Sequence, residues 1–203
     1  NYSVDYVGNP SVDSVAYYKE HQAIPKDTFI KEEGLANKPI LALLSGSRKQ
    51  EIKDNLPTML KVASAYPDYQ PVIAGAPGID PAYYQEYIGS YPAKIVFGKT
   101  YPLLQHSAAA LVTSGTATLE TALFRVPQVV CYYVVAGQLA SFIFKHFFHT
   151  KYISLVNLIG GREIVQELFG ARFSESQIQD ELGRILQDPA YRKRMLDGYD
   201  KII

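Results

Sequence analysis

Ile40-Leu41-Ala42-Leu43-Leu44-Ser45-Gly46-Ser47-Arg48-Lys49-Gln50-Glu51-Ile52 is the stretch on which the fold turns. Its apolar run from Ile40 to Leu44 has no polar alternation, as expected of a strand covered on both faces in a parallel sheet. Gly46 ends the run. Beyond it Ile52, Leu56, Met59, Leu60 and Ala63 recur at helical spacing, so a tight turn leads from a buried strand into an amphipathic helix. Pro57 removes a backbone donor and is expected to kink or divide that helix.

The same alternation continues along the chain. Apolar runs at 71–74, 94–97, 109–113 and 128–133, with a weaker one at 152–155, read as further parallel strands, and amphipathic segments fill the gaps. Strand, helix, strand at this length implies right-handed crossovers. The expected fold is an α/β doubly wound parallel sheet, with ligands at the carboxyl ends of its strands. After Leu155 the pattern becomes helical, at 162–168, 174–187 and 189–199. Ser174 and Gln177 have capping-box spacing, and Pro189 suits a first helical turn.

With 203 residues, 47% of them apolar, the chain can bury one substantial core and reads as one domain. Its 20 basic and 20 acidic residues balance, which argues against nucleic acid as a partner. The lone cysteine, Cys131, lies in an apolar run, where a reduced thiol packs as a small hydrophobe. A cytoplasmic setting fits. The opening residues lack a secretory pattern and begin in mid-motif, as in a piece of a longer protein. The most apolar stretch, 129–144, is interrupted by Gly137, Gln138 and Ser141 and falls short of the roughly 18 to 20 apolar residues of a membrane span. The aromatic segment 142–151, with Lys145 and Lys151, suits contact with lipid, a partner chain or the core. Its His146 and His149 lack a third ligand, so no metal is expected. His106 reads as a partly buried or capping residue and His21 as surface.

Three turns are candidates for chemistry. In Ser45-Gly46-Ser47-Arg48, glycine allows close backbone approach, serine offers a hydroxyl, the helix start offers free N–H groups and arginine can fork onto phosphate oxygens. Ser47 and Gln50 also have capping-box spacing, so an ordinary strand-to-helix turn accounts for the same residues. Thr113-Ser114-Gly115-Thr116-Ala117-Thr118-Leu119-Glu120 again follows a strand and opens a helix. Ser114, Gly115 and Thr116 can donate to the same diphosphate, and Glu120, one turn further, can accept the hydroxyls of a ribose; a simple cap with a dipole-compensating acid is the plain alternative. Two such turns on one sheet favour a nucleoside diphosphate. In Ser154-Leu155-Val156-Asn157-Leu158-Ile159-Gly160-Gly161-Arg162-Glu163, Asn157 can bond to ligand or to backbone. Nothing forms a self-contained nucleophile–base pair.

Taken in order with Val7-Gly8-Asn9-Pro10, these motifs resemble the C-terminal half of the lipid-A-disaccharide synthase family. The resemblance implies a GT-B glycosyltransferase with two facing Rossmann-like domains, of which 1–203 is the donor-binding one with extra C-terminal helices, and the N-terminal domain carrying the acceptor site and the base is absent. It implies joining of UDP-2,3-diacylglucosamine to 2,3-diacylglucosamine 1-phosphate with release of UDP, without metal or cofactor. Gly46, Ser47 and Arg48 would hold the diphosphate with Ser114, Gly115 and Thr116, Arg48 stabilising the leaving group. Glu120 would hold the ribose, Asn157 would lie near the same pocket, and the loops at Gly75 and at Phe97-Gly98 would approach the uracil. The family also implies a peripheral position on the cytoplasmic face of the inner membrane and a homodimer with exchanged C-terminal segments, to which Asn157 and Arg162 could belong. Asn9 stands where members often carry His, and Val156 where they carry Pro. Another GT-B enzyme, such as a UDP-N-acetylglucosamine 2-epimerase or a peptidoglycan glycosyltransferase, and a non-catalytic nucleotide-binding module are the rival readings.

Overall fold

A computed structural model describes residues 9–113, 115–134 and 152–203. Its centre is a six-stranded, wholly parallel sheet in the order β3-β2-β1-β4-β5-β6. Two helices, α1 (Pro10–His21) and α2 (Lys26–Glu32), precede β1 (Ile40–Leu44), which leads through the first turn into α3 (Lys49–Ser64). There follow β2 (Gln70–Gly75), α4 (Pro81–Ile88), β3 (Lys94–Phe97), α5 (Thr100–Gln105), β4 (Ser107–Val112), α6 (Thr116–Leu123) and β5 (Gln128–Tyr132). The C-terminal part carries α7 (Leu155–Gly160), β6 (Glu167–Phe169), α8 (Glu175–Gln187) and α9 (Pro189–Tyr199).

The unbroken apolar run of β1 has the expected cause. All five residues are buried, with Leu41 and Leu43 in the core under α3, α4, α8 and α9 and Ile40, Ala42 and Leu44 in the core under α2 and α5. A third, smaller cluster joins Val15 of α1 to Leu119 and Leu123 of α6. Cys131 is fully buried in β5, and desolvation pushes its thiol up to about 12, so it behaves as the expected hydrophobe.

The C-terminal reading needs correction at two places. Residues 152–155 form no strand; Ser154 caps α7 by accepting from the Asn157 N–H at 3.3 Å. The sixth strand lies instead at Glu167–Phe169, overlapping the end of the stretch 162–168 read as helical, which forms no helix, and is parallel to β5. A strand of three residues offers no period to detect. The two last helices match their reading, with Ser174 and Asp188 as caps. Pro57 does not divide α3, which runs from Lys49 to Ser64 as one element. The segment 142–151, with its histidines and lysines, and the start Val7-Gly8 lie outside the described residues. Asn9 caps α1, its side chain accepting from the Ser11 N–H at 3.0 Å. Among the described residues no helix is long and apolar enough to cross a membrane.

Candidate functional site

β1 and β4 are neighbours, yet their crossovers leave to opposite sides, β1 toward β2 and β4 toward β5. This is the switch point of a doubly wound sheet, where two diverging turns leave a crevice outside the strand ends. The Thr113 N–H and hydroxyl both donate to the Leu44 carbonyl, at 3.0 and 3.2 Å, and bind the two turns side by side. A cleft of about 420 Å³ opens there, lined by Gly46, Ser47, Arg48 and Glu51 from the first turn, Gly75 at the end of β2 with Ala76 and Pro77 of the loop after it, and Thr113, Gly115, Thr116, Ala117 and Glu120 from the second.

In the first turn Ser45 is fully buried, and its hydroxyl has no hydrogen-bond partner among the described residues. Gly46 has φ +113°, a left-handed region that favours glycine. The turn differs from its reading in where α3 begins. Arg48 is the N-cap and Glu51, not Gln50, reaches back: its Oε2 accepts from the N–H of Ser47 at 2.8 Å and of Arg48 at 3.3 Å. The Gln50 side chain instead donates to Asp54. The Ser47 hydroxyl is therefore not used as a cap and stands at the cleft rim. The Arg48 side chain is 83% exposed and sits 3.8 Å from Glu51, too loose an ion pair to fix it. It is free to reach an anion in the cleft.

In the second turn Gly115, with φ +104°, is the N-cap before Thr116, the first residue of α6, and among the described residues no side chain caps the helix. Among those residues its first N–H groups have no side-chain acceptor, the arrangement that suits an anion. Ser114 lies outside the described residues. Glu120 lines the cleft one turn further along, and its Oε1 accepts from the Tyr101 hydroxyl at 3.1 Å. Burial raises the Glu120 carboxyl and the Tyr101 hydrogen bond opposes that rise; burial and the neighbouring carboxylate push the Tyr101 phenol up to about 12. Tyr101 therefore remains the donor and aims the acid. Sequence reasoning missed it, since 19 residues separate the pair and no local period joins them.

The two loops read as flanking the base split in the structure. Gly75 borders the cleft, while Phe97 and Gly98 lie beside it at the end of β3, in register with Gly75. A Cβ on Gly75 would stand 2.4 Å from the Phe97 ring, so glycine is what lets that ring lie over β2. Phe97 meets Tyr84 edge-on, and the Tyr84 hydroxyl accepts from the Ala76 N–H at 2.8 Å.

Asn157 does not lie in the cleft lining. It is fully buried, and its side chain is saturated by the fold: Nδ2 donates to the Val165 carbonyl and to Glu167, and Oδ1 accepts from the N–H groups of Ile164 and Val165. Those are all the hydrogen bonds an asparagine side chain makes. The alternative of a bond to backbone is the one the structure takes. His106 ends α5 and bonds the Ile24 carbonyl at 2.9 Å, burial lowering its pKa.

A Rossmann-like domain of the GT-B kind is what this sheet order and these paired turns define. Two solved structures illustrate the likeness. The UDP-GlcNAc 2-epimerase from Neisseria meningitidis bound to UDP-GlcNAc superposes with a TM-score of 0.61 at 16% identity, over 96% of this chain and 53% of that one. CalG4, the calicheamicin glycosyltransferase, does so at 0.54 and 19% identity, over 82% and 38%. The family model for lipid-A-disaccharide synthetase matches residues 1–202, and the chain belongs to that family. It is 31% identical over 206 residues to the lipid-A-disaccharide synthase of Rhodospirillum centenum, covering 97% of this chain and 49% of that protein. The chain spans about half the length of the curated relatives it matches.

Proposed function

We propose that this chain is the donor-nucleotide half of a lipid-A-disaccharide synthase, a hexosyltransferase that joins UDP-2,3-diacylglucosamine to 2,3-diacylglucosamine 1-phosphate and releases UDP. The observation that carries the reading is the meeting of two anion-type turns at the switch point, with Glu120 half-buried one helical turn inside. In this reading the diphosphate lies between the Gly46-Ser47-Arg48 turn and the start of α6, with Ser114, Gly115 and Thr116 donating to it. Glu120 accepts from the ribose hydroxyls, and the uracil lies toward Gly75, with Phe97 and Gly98 beyond it. That a protein of the same fold, the epimerase, is bound to UDP-GlcNAc supports a nucleotide ligand.

The reaction breaks the bond between the anomeric carbon and the UDP oxygen while the acceptor hydroxyl forms the new one. Negative charge grows on the departing diphosphate, and fixed donors aimed at that charge lower the barrier. The turn amides and the α6 N-terminus are such donors, and Arg48, free at the rim, closes onto the same oxygens. The base that takes the acceptor proton belongs, in this reading, to an N-terminal domain outside these residues, so this domain alone binds donor and does not turn over. Asn9 cannot serve as a base near neutral pH. The full enzyme sits peripherally on the cytoplasmic face of the inner membrane as a homodimer.

Calorimetry with UDP and UMP tests the binding half. UDP is expected to bind more tightly, and Arg48→Ala to abolish the difference; equal affinities in the unmodified chain would sink the diphosphate assignment. Assay of the complete protein with the two acylated sugars, following UDP release, tests the activity. Turnover of UDP-GlcNAc to its C2 epimer instead would favour the epimerase reading.

A further inference from the structure

We propose that Glu51 is a resident counter-anion of the first turn, occupying the position a phosphoryl oxygen takes when a nucleoside diphosphate binds, and that it thereby sets the affinity of the site; the inference rests on the diphosphate reading above. One carboxylate oxygen, Oε2, accepts from two successive backbone amides, Ser47 at 2.8 Å and Arg48 at 3.3 Å. The other lies 3.8 Å from the Arg48 guanidinium. Two consecutive N–H groups on one carboxylate oxygen are the donor core of an anion nest, with the Arg48 guanidinium close by.

Gly46 shows how fully the acid fills that place. A Cβ on Gly46 would stand 2.5 Å from the Glu51 Cβ and 2.6 Å from Oε2. The space that glycine leaves above the turn, and that a phosphate would need, is taken by this side chain. Glu51 nevertheless lines the cleft and its side chain is 23% exposed, so it has a route out. A diphosphate and a carboxylate cannot share the same donors, because like charges at contact distance repel. Ligand entry therefore requires the acid to swing out, and phosphate oxygens then take over the cap on α3. When the nucleotide departs the acid returns. The donors keep an acceptor throughout, and affinity for the free diphosphate is held down.

NMR titration of the full chain with UDP and with uridine tests this. Glu51→Gln keeps a carbonyl acceptor for the two amides and removes only the charge; it is expected to bind UDP about tenfold more tightly, with uridine unchanged. Glu51→Ala removes the cap as well and should melt lower while still favouring UDP over uridine more strongly than the unmodified chain does. The Ser47 and Arg48 amide resonances should differ between Glu51→Gln and the unmodified protein when free, and coincide when both are saturated with UDP. Unchanged or weaker UDP binding by Glu51→Gln overturns the proposal, as does a difference in those amides that persists at saturation. A failure of the diphosphate reading is separately visible: UDP and uridine would then bind the unmodified chain alike with the two amides unmoved, and the proposal would fall with it.

Discussion

Replacing Asn157 by alanine separates a structural residue from a ligand contact. In the fold its side chain satisfies the N–H groups of Ile164 and Val165, the Val165 carbonyl and one of the donors to Glu167. Alanine leaves the three backbone groups without their partner. A buried group orphaned in this way costs about 1–3 kcal/mol. Glu167 keeps three donors, the N–H of Ile153 and the N–H and hydroxyl of Ser154, so its own loss is partial. Water can reach the Ile164 end, which is only part-buried, and recover some of the sum. The expected net destabilisation is about 3–5 kcal/mol, a large share of the roughly 5–15 kcal/mol that holds a domain together. Urea unfolding of the chain measures it through the shift in midpoint at constant slope. Under conditions where the variant remains folded, its UDP affinity should match that of the unmodified protein. A loss below about 1 kcal/mol, or UDP binding weakened without loss of stability, would refute the structural role and restore Asn157 to the pocket.

Tyr101→Phe removes the hydrogen bond that holds the Glu120 carboxyl down, so its pKa should rise further above the ordinary carboxyl range. If Glu120 holds the ribose in its ionised form, as proposed, UDP affinity is then lost at higher pH than in the unmodified chain as the solution is acidified; identical pH profiles would remove Tyr101 from the site. Stability should move the other way. A carboxyl raised by folding weighs against the native state above its folded pKa, so the unliganded variant gains stability as pH falls through that value. Gly75→Ala pushes a methyl into the Phe97 ring, which a Cβ would approach to 2.4 Å, and should cost about 1–3 kcal/mol by thermal or urea unfolding. Adding Phe97→Ala should recover part of that loss, and strict additivity of the two changes would refute the contact.

The central strands and their turns were legible in the sequence because each rests on a local signal strong enough to survive tertiary context. Residues 40–44 are apolar on every position since both faces of β1 are covered, and 129–131 of β5 are buried in the same way, whereas β3 at the sheet edge was legible only at 95–97. The helix start at Ser174 and the first-turn Pro189 were equally local, while the Asp188 cap before Pro189 is a finding of the structure. What was not legible depends on partners far along the chain. β6 is a three-residue strand whose identity comes from pairing with β5, and the Glu167 carboxylate that fastens it to α7 is an acid in a stretch that looks helical. Asn157 followed the motif in which it sits, yet its hydrogen bonds run to a loop that no period predicts.

The first turn shows the same limit at closer range. Gln50 could reach back to the Ser47 N–H and Glu51 to the Arg48 N–H, one residue apart, and only Glu51 does so, taking both amides. The choice follows from charge: a carboxylate accepts more strongly from backbone N–H groups than an amide carbonyl does, and it compensates the positive end of α3. That choice frees the Ser47 hydroxyl for the cleft and brings an anion onto the amides that would hold a phosphate in the proposed reading. Register by one residue thus decides whether the turn stands open or comes with its own acceptor, and the affinity of Glu51→Gln for UDP measures the difference.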